Sequence, residues 1–489
     1  MKGAQVFASY TKQVIQDYAG NPLIEALPPI FSEEMAVKLI SNFPSAVDPA
    51  ELSLEPSTRI HCIDRLRTVV QPLMIHLDLE SVFSLLIRRG YVGRNPTSPA
   101  TVRHLHSLSG AQRYHDGFKS TAETFSLVGL SGIGKSTALE AILSLYPQTI
   151  RHERYEGKQF VHTQITWLKL DCPRDGSLAG FCQQFFFAVG RALGDENFHK
   201  RYRQRNINDA LQQMEQVAST FFIGALLIDE LQNLHLAKTG GKDSMLNFFL
   251  HLVNNIGIPV VFIGTNSMIS LFSDVMRNAR RCCGVGVLEF KRFEKHDEEW
   301  KMLVENLWSY QWCQQAAQLT EEVFDALYEH TQGVTDFLVK LLVLCQRYAI
   351  QSGLECVTAQ TIALVSNTKM QILKPALSAL RSRDPKRMRQ FDDLLPIEDQ
   401  LSDMMAFDGL AQPERLALLH SVRSCSDNNV SKPAVAHARP VIAQPPAVVA
   451  VGTPEAHALI ESGDSIGALK SSGWISSDLF EFSPLYRGE

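Results

Sequence analysis

Short apolar segments alternate with helical patterns over residues 123–290. The apolar segments are ETFSLVGL, ITWLKLDC, ALLIDE, PVVFIGT and GVGVLEF. The stretches with helical periodicity between them are 135–146, 177–194, 243–255 and 267–280. Such alternation places helices on both faces of a sheet, so the buried strands can be apolar throughout. The pattern predicts an α/β region built around a parallel five-stranded sheet.

The sequence on either side of this region differs from it. Residues before it mix helical patterns, such as that of 59–88, with connections that contain proline. One connection, YAGNPLIEALPPIF at 18–31, carries two consecutive prolines, which cannot continue a helix. We predict that this segment is an extended arm. After the α/β region, residues 296–366 show only helical periodicity and predict a small helical domain.

The C-terminal part of the chain has the composition of a tether. Residues 432–456 are rich in proline and alanine and contain few charges, as in an extended linker. Aromatic residues return between acids in 457–489, which predicts a peptide that folds on a partner. The predicted boundaries are 1–120 for an N-terminal extension, 121–293 for the α/β core, 294–395 for the helical domain with the helices after it, 396–456 for a linker and 457–489 for a partner-binding tail.

Composition restricts the partners of the protein without identifying them. The 489 residues are 45% hydrophobic, with a formal net charge of −5 and a pI of about 6.3. Any contact with nucleic acid must therefore come from a local basic patch. The nine cysteines include no C-x-x-C pair, which favours reduced thiols over zinc or disulfides. No apolar leader is present, and the longest apolar run, 221–228, is too short for a bilayer, so we expect a soluble cytosolic protein.

The first predicted strand leads into a phosphate-binding motif. GLSGIGKST at 129–137 fits G-x-x-x-x-G-K-[ST], with an apolar strand before it and a helix after it. Glycines let the backbone N–H groups face phosphate, and Lys135 reaches the β- and γ-phosphate oxygens. Ser136 is the predicted magnesium ligand of the loop. The predicted residues for ATP binding are Gly129, Ser131, Gly132, Gly134, Lys135, Ser136 and Thr137.

A second apolar segment, FFIGALLIDE at 221–230, ends in two carboxylates. Asp229 is placed to hold Mg²⁺, and Glu230 to polarise the water that attacks the γ-phosphate. An apolar strand that ends in acids is common, and its plain interpretation is a solvated strand end. Its position after a phosphate-binding loop strengthens the functional interpretation. Lys135, Asp229 and Glu230 together predict ATP hydrolysis with magnesium.

Polar residues after the next strand predict further contacts with the γ-phosphate. PVVFIGTN ends in Thr265 and Asn266, and we select Asn266 as the sensor, although it could instead cap the following helix. MRNARRCC at 276–283 then supplies three arginines that could complete the site of a neighbouring subunit. A solvated basic face is the alternative for them, and the pattern does not select among them. These candidates are Arg277, Arg280 and Arg281.

These segments together resemble the TnsC/TniB family, the AAA+ regulators of Tn-seven-like transposons, over roughly residues 15–395. The resemblance is carried by the arm YAGNPLIEALPPIF, the loop GLSGIGKST, LLIDELQNL, IGTNS, MRNARR, and the segments TQGVTDFLVKLLVLCQRYAI and KPALSALRSRDPKRMRQFDDLLP. It implies an AAA+ P-loop NTPase with a parallel five-stranded sheet, a small helical lid, an N-terminal helical extension and a flexible C-terminal tail. Many AAA+ proteins carry an arginine sensor in the lid; here Asp336 and Lys340 stand nearby, so that sensor is either absent or replaced by Lys340.

The resemblance also implies a function. The protein would bind double-stranded DNA, assemble into rings or helical filaments in the bacterial cytoplasm, recruit transposase subunits and respond to a target-selection protein. Hydrolysis of ATP would dismantle the assembly. Two alternatives stay open: a scaffold with negligible hydrolysis, and another initiator-like ATPase such as a helicase loader or an origin-binding protein.

Three basic clusters are candidates for DNA contact. Each could equally be a solvated face, since lysine and arginine are common on surfaces. The clusters are Arg151, Arg154 and Lys158, predicted in a connection before the second strand; Lys200, Arg201, Arg203 and Arg205; and the run from Lys374 to Arg389.

Overall fold

The predicted parallel sheet of five strands is confirmed in the computed structural model. The structure describes residues 5–109, 119–202, 207–236, 241–273, 284–382, 384–388 and 413–424. Its strands are β1 (Gln5–Phe7), β2 (Thr124–Gly129), β3 (Thr149–Tyr155), β4 (Lys158–Ile165), β5 (Trp167–Asp171), β6 (Ala225–Asp229), β7 (Val260–Gly264) and β8 (Val287–Phe290). The main sheet has the order β5-β6-β7-β2-β8, and all its neighbouring strands are parallel.

Every residue of β2, β6 and β7 is buried, which explains why β6 up to Asp229 and β7 are apolar without alternation. β2 also buries the hydroxyl groups of Thr124 and Ser126. Helices cover both faces of the sheet and form the N-terminal region and the lid. The helices are Pro22–Glu25, Glu33–Ile40, Pro49–Leu52, Pro56–Cys62, Met74–Val92, Pro99–Ser109, Lys135–Leu143, Leu178–Leu193, Ile207–Thr220, Gly241–His251, Met268–Ser273, Glu298–Trp308, Glu321–Thr331, Thr335–Gln351, Ala359–Lys369, Lys374–Ser382, Pro385–Met388 and Pro413–Ser424. Among the described helices, none is both long and apolar enough to cross a bilayer.

A second sheet, of order β1-β3-β4, lies where the sequence predicted only a connection. β3 and β4 form an antiparallel hairpin whose turn, Glu156–Gly157, has positive φ at both residues, 48° and 78°. Two-residue turns of this geometry fit the twist of a hairpin. The prediction missed the hairpin because polar residues interrupt its strands. Arg151, Arg154 and Lys158 therefore lie on a β-hairpin and not in a loop.

The N-terminal arm is packed against the protein. Asn21 caps the short helix Pro22–Glu25, accepting a hydrogen bond from the Leu23 N–H (3.1 Å), and its amide donates to the Tyr91 carbonyl (2.8 Å). Leu23 and Ile24 are fully buried. The predicted extended arm thus contains one helical turn, and the rest of 18–31 is irregular.

The lid is a group of helices within 298–369, and its apolar core around Trp300 and Trp312 also includes Ile63 and Leu66 of the N-terminal region. Arg59 of the N-terminal region is 1% exposed and forms a bidentate pair with Glu355, with N–O distances of 2.5 and 2.8 Å. A buried ion pair of this kind is costly to break, because the remaining charge loses its partner. The pair therefore holds the N-terminal region against the lid.

One helix, Pro413–Ser424, falls inside the segment predicted as a linker. It packs on the helices Glu33–Ile40, Met74–Val92 and Glu298–Trp308, with Leu419 1% exposed. Arg415 pairs with Glu33 (2.6 Å) and Asp78 (2.8 Å). Residues 389–412 and 425–489, including the predicted tail peptide, lie outside the described residues.

Candidate functional site

The phosphate-binding motif forms a turn between β2 and the helix Lys135–Leu143. Gly134 caps that helix with φ of 109°, and Gly132 has φ of 78°, conformations that residues with a Cβ rarely adopt. The first N–H groups of a helix have no partner within the helix and attract anions. Gly129 has another role: a Cβ there would lie 2.6 Å from the Phe290 carbonyl, so this glycine lets β8 pack closely.

Lys135 lies along the loop that it belongs to. Its ammonium donates hydrogen bonds to the carbonyls of Gly129 (2.8 Å) and Leu130 (2.9 Å). The charge is therefore held beside the helix N-terminus, within the same cavity wall as Ser136 and Thr137. Both features favour an anionic group at this position.

Asp229 ends β6 and is only 7% exposed. Its Oδ1 accepts the Glu230 N–H (2.9 Å), and its Oδ2 lies 3.0 Å from the ammonium of Lys169. The pairing of β5 with β6 places Asp171 opposite Asp229, so Lys169, two residues earlier on β5, lies on the same face of the sheet. Lys169 was not predicted, because its proximity to Asp229 depends on strand register.

Glu230 leaves the sheet in a left-handed conformation with φ of 57°, and its side chain is exposed. Such a backbone costs about 1–3 kcal/mol in a non-glycine residue and is common at functional sites. The conformation turns the chain sharply after Asp229. Both carboxylates nevertheless line the same cavity as Lys135.

Thr265 and Asn266, the two polar residues predicted after β7, have different positions relative to the cavity. Thr265 follows β7 and lines the cavity, with its hydroxyl 2.8 Å from that of Ser267. Asn266 stands one residue further, in the turn before the helix Met268–Ser273, and is not part of the cavity wall. The structure thus brings Thr265, and not Asn266, to the site. The three predicted arginines, Arg277, Arg280 and Arg281, lie outside the described residues.

The lid closes the cavity over the phosphate-binding turn. The Thr335 hydroxyl (3.1 Å) and the Asp336 N–H (3.0 Å) both donate to the Gly132 carbonyl. Lys340, the candidate second sensor, lies one turn along that lid helix and pairs with Asp336 at 2.5 Å. Asp336 lines the cavity and Lys340 does not. The ion pair therefore offsets the charge of an acid close to the phosphate-binding turn.

The cavity has a volume of about 460 Å³ and two halves of different chemistry. One half, called the P-loop half, contains the phosphate-binding turn with Lys135, together with Asp229, Glu230, Thr265 and Asp336. The other half, called the apolar half because most of its residues are apolar, is lined by Arg67, Val69, Val70, Gln71, Leu73, His76, Phe290, Leu303, Leu307 and Val339. Its residues come from the N-terminal region, β8 and the lid, and they form no motif that can be recognised in the sequence. A pocket of this size and polarity is typical of small-molecule sites.

His76 is a fixed neutral element of the apolar half. Its Nδ1 accepts the Leu73 N–H at 2.9 Å, and burial lowers the pKa of His76 to about 4. The ring contacts Phe290 edge to face, with centroids 6.2 Å apart. An uncharged imidazole keeps this half of the cavity apolar at neutral pH.

The donor atoms on the cavity wall fit a magnesium ion held jointly with a nucleotide. Magnesium prefers oxygen ligands and is usually bound by one or two protein groups together with phosphates and water. The Ser136 hydroxyl and the Asp229 carboxylate line the same cavity. Among the described residues, no three His, Cys, Asp or Glu side chains gather as metal ligands. Ser136 and Asp229 are therefore the oxygen donors on this wall that could share a magnesium ion with nucleotide phosphates.

Residues 119–272 match the profile of the protein family described as AAA domain. This segment carries the phosphate-binding turn, both carboxylates and Thr265. It is an AAA-type P-loop ATPase domain. No curated protein sequence matches the chain.

The chain has weak structural similarity to several solved proteins. A Walker-type ATPase of Pyrococcus abyssi is 14% identical, with 61% of this chain and 83% of that chain covered and a TM-score of 0.31. Drosophila ORC bound to DNA is 12% identical, covering 79% and 87%, with a TM-score of 0.39. Cdc6p from Pyrobaculum aerophilum is 13% identical, covering 69% and 90%, with a TM-score of 0.34. Similarity at this level does not assign a function.

The basic residues that are candidates for DNA contact differ in whether their side chains form ion pairs. On the hairpin, Arg151, Arg154 and Lys158 are exposed. In the other clusters, Arg201 pairs with Asp195 (2.6 Å) and Arg381 with Glu329 (2.9 Å). Arg203, Arg205, Arg383 and Arg389 lie outside the described residues. The hairpin is therefore the basic cluster whose placement the structure describes in full.

Proposed function

We propose that this protein is an ATP-dependent, DNA-binding regulator of transposition, the function that its resemblance to the TnsC/TniB family implies. The observation that supports the ATPase part is the convergence of Lys135, Ser136, Asp229 and Glu230 on one cavity closed by the lid. The apolar half of the same cavity accepts the adenine base. The protein binds and hydrolyses ATP with Mg²⁺.

Each group of the P-loop half has a role in that reaction. Lys135 exchanges its two carbonyl partners for the β- and γ-phosphate oxygens, and the helix N-terminus binds the same phosphates. Ser136 and Asp229 would hold the magnesium ion, which would neutralise phosphate charge. Glu230 orients the attacking water and accepts its proton. Thr265 contacts the γ-phosphate side of the cavity, with Asn266 beside it.

ATP binding assembles the protein on double-stranded DNA as rings or helical filaments. Arg277, Arg280 and Arg281 are the candidates to complete the site of the neighbouring subunit, which would make hydrolysis depend on assembly. The assembly recruits transposase subunits and responds to a target-selection protein. Hydrolysis then dismantles it, so that ATP turnover acts as a timer.

The exposed basic hairpin supports the DNA-binding part of the proposal. Arg151, Arg154 and Lys158 lie on paired strands, which hold their backbones at a fixed spacing. Contacts from such residues to phosphates are independent of sequence and sensitive to salt. Replacing Arg151 and Arg154 with alanine should weaken DNA binding and reduce its salt dependence. Arg347→Ala, which removes an exposed arginine from the lid, is the matched control and should change neither.

The decisive experiment is negative-stain electron microscopy of the purified protein with duplex DNA and a non-hydrolysable ATP analogue. The wild-type protein should form nucleotide-dependent rings or filaments on DNA, and Lys135→Ala should not. Glu230→Gln should assemble with ATP and fail to disassemble. Nucleotide binding without DNA assemblies would contradict the proposal and point to another initiator-like ATPase. Assembly with no measurable hydrolysis would instead indicate a scaffold.

A further inference from the structure

Gln232 joins the two polar strand ends of the AAA domain. It lies in the 3₁₀ turn Leu231–Leu236 that follows Glu230, and it forms part of the cavity wall. Its Nε2 donates to Glu230 Oε2 at 2.7 Å. Its Oε1 accepts the backbone N–H of Thr265 at 3.2 Å. One side-chain amide therefore connects the end of β6 to the end of β7.

The orientation of this amide is fixed by its partners. A backbone N–H can only donate, so the oxygen of Gln232 must face Thr265. The nitrogen then faces the Glu230 carboxylate, which accepts from it. Rotating the amide by half a turn would break both hydrogen bonds at once. The direction of the chain of hydrogen bonds, from Thr265 to Gln232 to Glu230, follows from this chemistry.

The surrounding backbone is shaped to hold Gln232 in place. Gly264 leaves room for it, because a Cβ at that position would lie 2.5 Å from Gln232 Oε1. Leu231 is fully buried, and the Asn233 N–H donates to the Glu230 carbonyl at 2.9 Å, so the turn that carries Gln232 is anchored on both sides. Glu230 itself has an exposed side chain on a left-handed backbone. Gln232 thus restrains a carboxylate that the backbone directs into the cavity.

We infer that Gln232 is a positioning residue that links the Thr265 end of β7 to the orientation of the Glu230 carboxylate. This inference rests on the proposed function, in which Glu230 orients the attacking water. Contact of Thr265 with the γ-phosphate changes the position of its N–H. Gln232 transmits that change to Glu230, so that the carboxylate is placed for proton transfer when ATP is bound. Orientation of a general base can change rates strongly even when substrate binding is unaffected.

Steady-state ATP hydrolysis of Gln232→Ala and Gln232→Glu tests the inference. The alanine variant removes both hydrogen bonds. The glutamate variant can still accept the Thr265 N–H, but it replaces the donor to Glu230 with a second negative charge. We expect kcat to fall roughly tenfold to a hundredfold, with KM and the affinity for a non-hydrolysable analogue within about twofold of wild type. Gly264→Ala should give the same pattern, because its methyl group displaces the Gln232 carbonyl.

The matched control is Asn233→Ala. Asn233 is the next residue of the same turn, but its amide donates to the Cys172 carbonyl at 3.0 Å and has no role in the proposed relay. Its kcat should stay within about twofold of wild type. In a Glu230→Gln background, Gln232→Ala should cause no further loss, since residues that act as a unit are not additive.

The outcomes separate this inference from the proposed function. If Glu230→Gln does not reduce hydrolysis, the proposed function itself is wrong. If Glu230→Gln abolishes hydrolysis while the Gln232 variants retain wild-type kcat, only the positioning role is wrong. A parallel loss of kcat and nucleotide affinity in Gln232→Ala would show a structural role and would also overturn the inference.

Discussion

The two halves of the nucleotide cavity are built in opposite ways. The P-loop half consists of a few contiguous motifs at strand ends, each with its chemistry visible in a short string. The apolar half is assembled from Val69, Val70 and Leu73 of the N-terminal region together with Phe290 of β8 and residues of the lid. The first half sets what is done to the phosphates. The second half depends on how distant segments pack, so it sets which molecule can enter.

The largest effects should come from the P-loop half. Lys135→Ala removes the charge beside the phosphates and should abolish both tight ATP binding and hydrolysis. Glu230→Gln should lower hydrolysis by about a hundredfold or more while nucleotide affinity is kept. Phosphate release and binding of a fluorescent ATP analogue measure the two quantities separately. An equal loss of nucleotide affinity in Lys135→Ala and Glu230→Gln would show that these residues do not divide into a binding role and a catalytic role.

Lys169 tests whether the P-loop half extends beyond its motifs. Lys169→Ala leaves the nearly buried Asp229 without its 3.0 Å cationic partner, and should reduce the free energy of unfolding by about 1–3 kcal/mol. It should also lower the Mg²⁺ concentration needed for half-maximal hydrolysis, because the ion no longer competes with the ammonium group. Urea titrations and a magnesium titration measure these effects. Lys169→Arg, which keeps the charge, is the control; an unchanged magnesium requirement in Lys169→Ala would contradict the competition.

The apolar half should affect affinity and not turnover. Val70→Ala removes two methyl carbons from the cavity wall and should raise KM for ATP by up to about fifteenfold, at about 0.8 kcal/mol for each buried carbon. The kcat should stay within about twofold. Val161→Ala, which shortens a valine exposed on the hairpin, should change neither constant. A fall in kcat with constant KM for Val70→Ala would remove the distinction between the halves.

A further effect, which is absent at neutral pH, comes from the protonation of His76 in the apolar half. The pKa of His76 is about 4 in the folded protein and near 6.5 when unfolded, so the unfolded state binds the extra proton first. Its contribution to stability is full above pH 6.5 and is lost as the pH falls from 6.5 towards 4. The slope should be about 1.4 kcal/mol for each pH unit.

Urea unfolding of wild type and His76→Gln between pH 7.5 and 5 measures this slope. In the His76→Gln variant, the free energy of unfolding should change less with pH, because the contribution of one titrating proton is removed. The variant should keep the pH dependence that comes from His152, because burial also lowers the pKa of His152 to about 4. Parallel curves for the two proteins would show that His76 is not buried in neutral form.

The P-loop half and the apolar half also differ in how far the sequence predicts them. β2, β6 and β7 are predictable because each is buried and largely apolar and is followed by polar groups with a recognisable task. The sequence does not predict the hairpin of β3 and β4, because charged residues occupy its exposed positions and mask its strand pattern. Lys169 and Gln232 escaped for another reason, since their contacts depend on strand register and on a tight turn. The sequence alone does not distinguish Thr265 from Asn266, because it does not show where β7 ends relative to the cavity.

The Arg59–Glu355 pair joins residues separated by 296 positions in the chain. During synthesis the N-terminal helices leave the ribosome long before their partner carboxylate exists. Until the lid is made, the Arg59 guanidinium lacks the charge that makes its burial favourable. Contacts between such distant segments also slow folding, because a long loop must close first. The last steps of maturation should therefore be the docking of the lid on the N-terminal region, and nascent chains that end before residue 355 should need protection from aggregation.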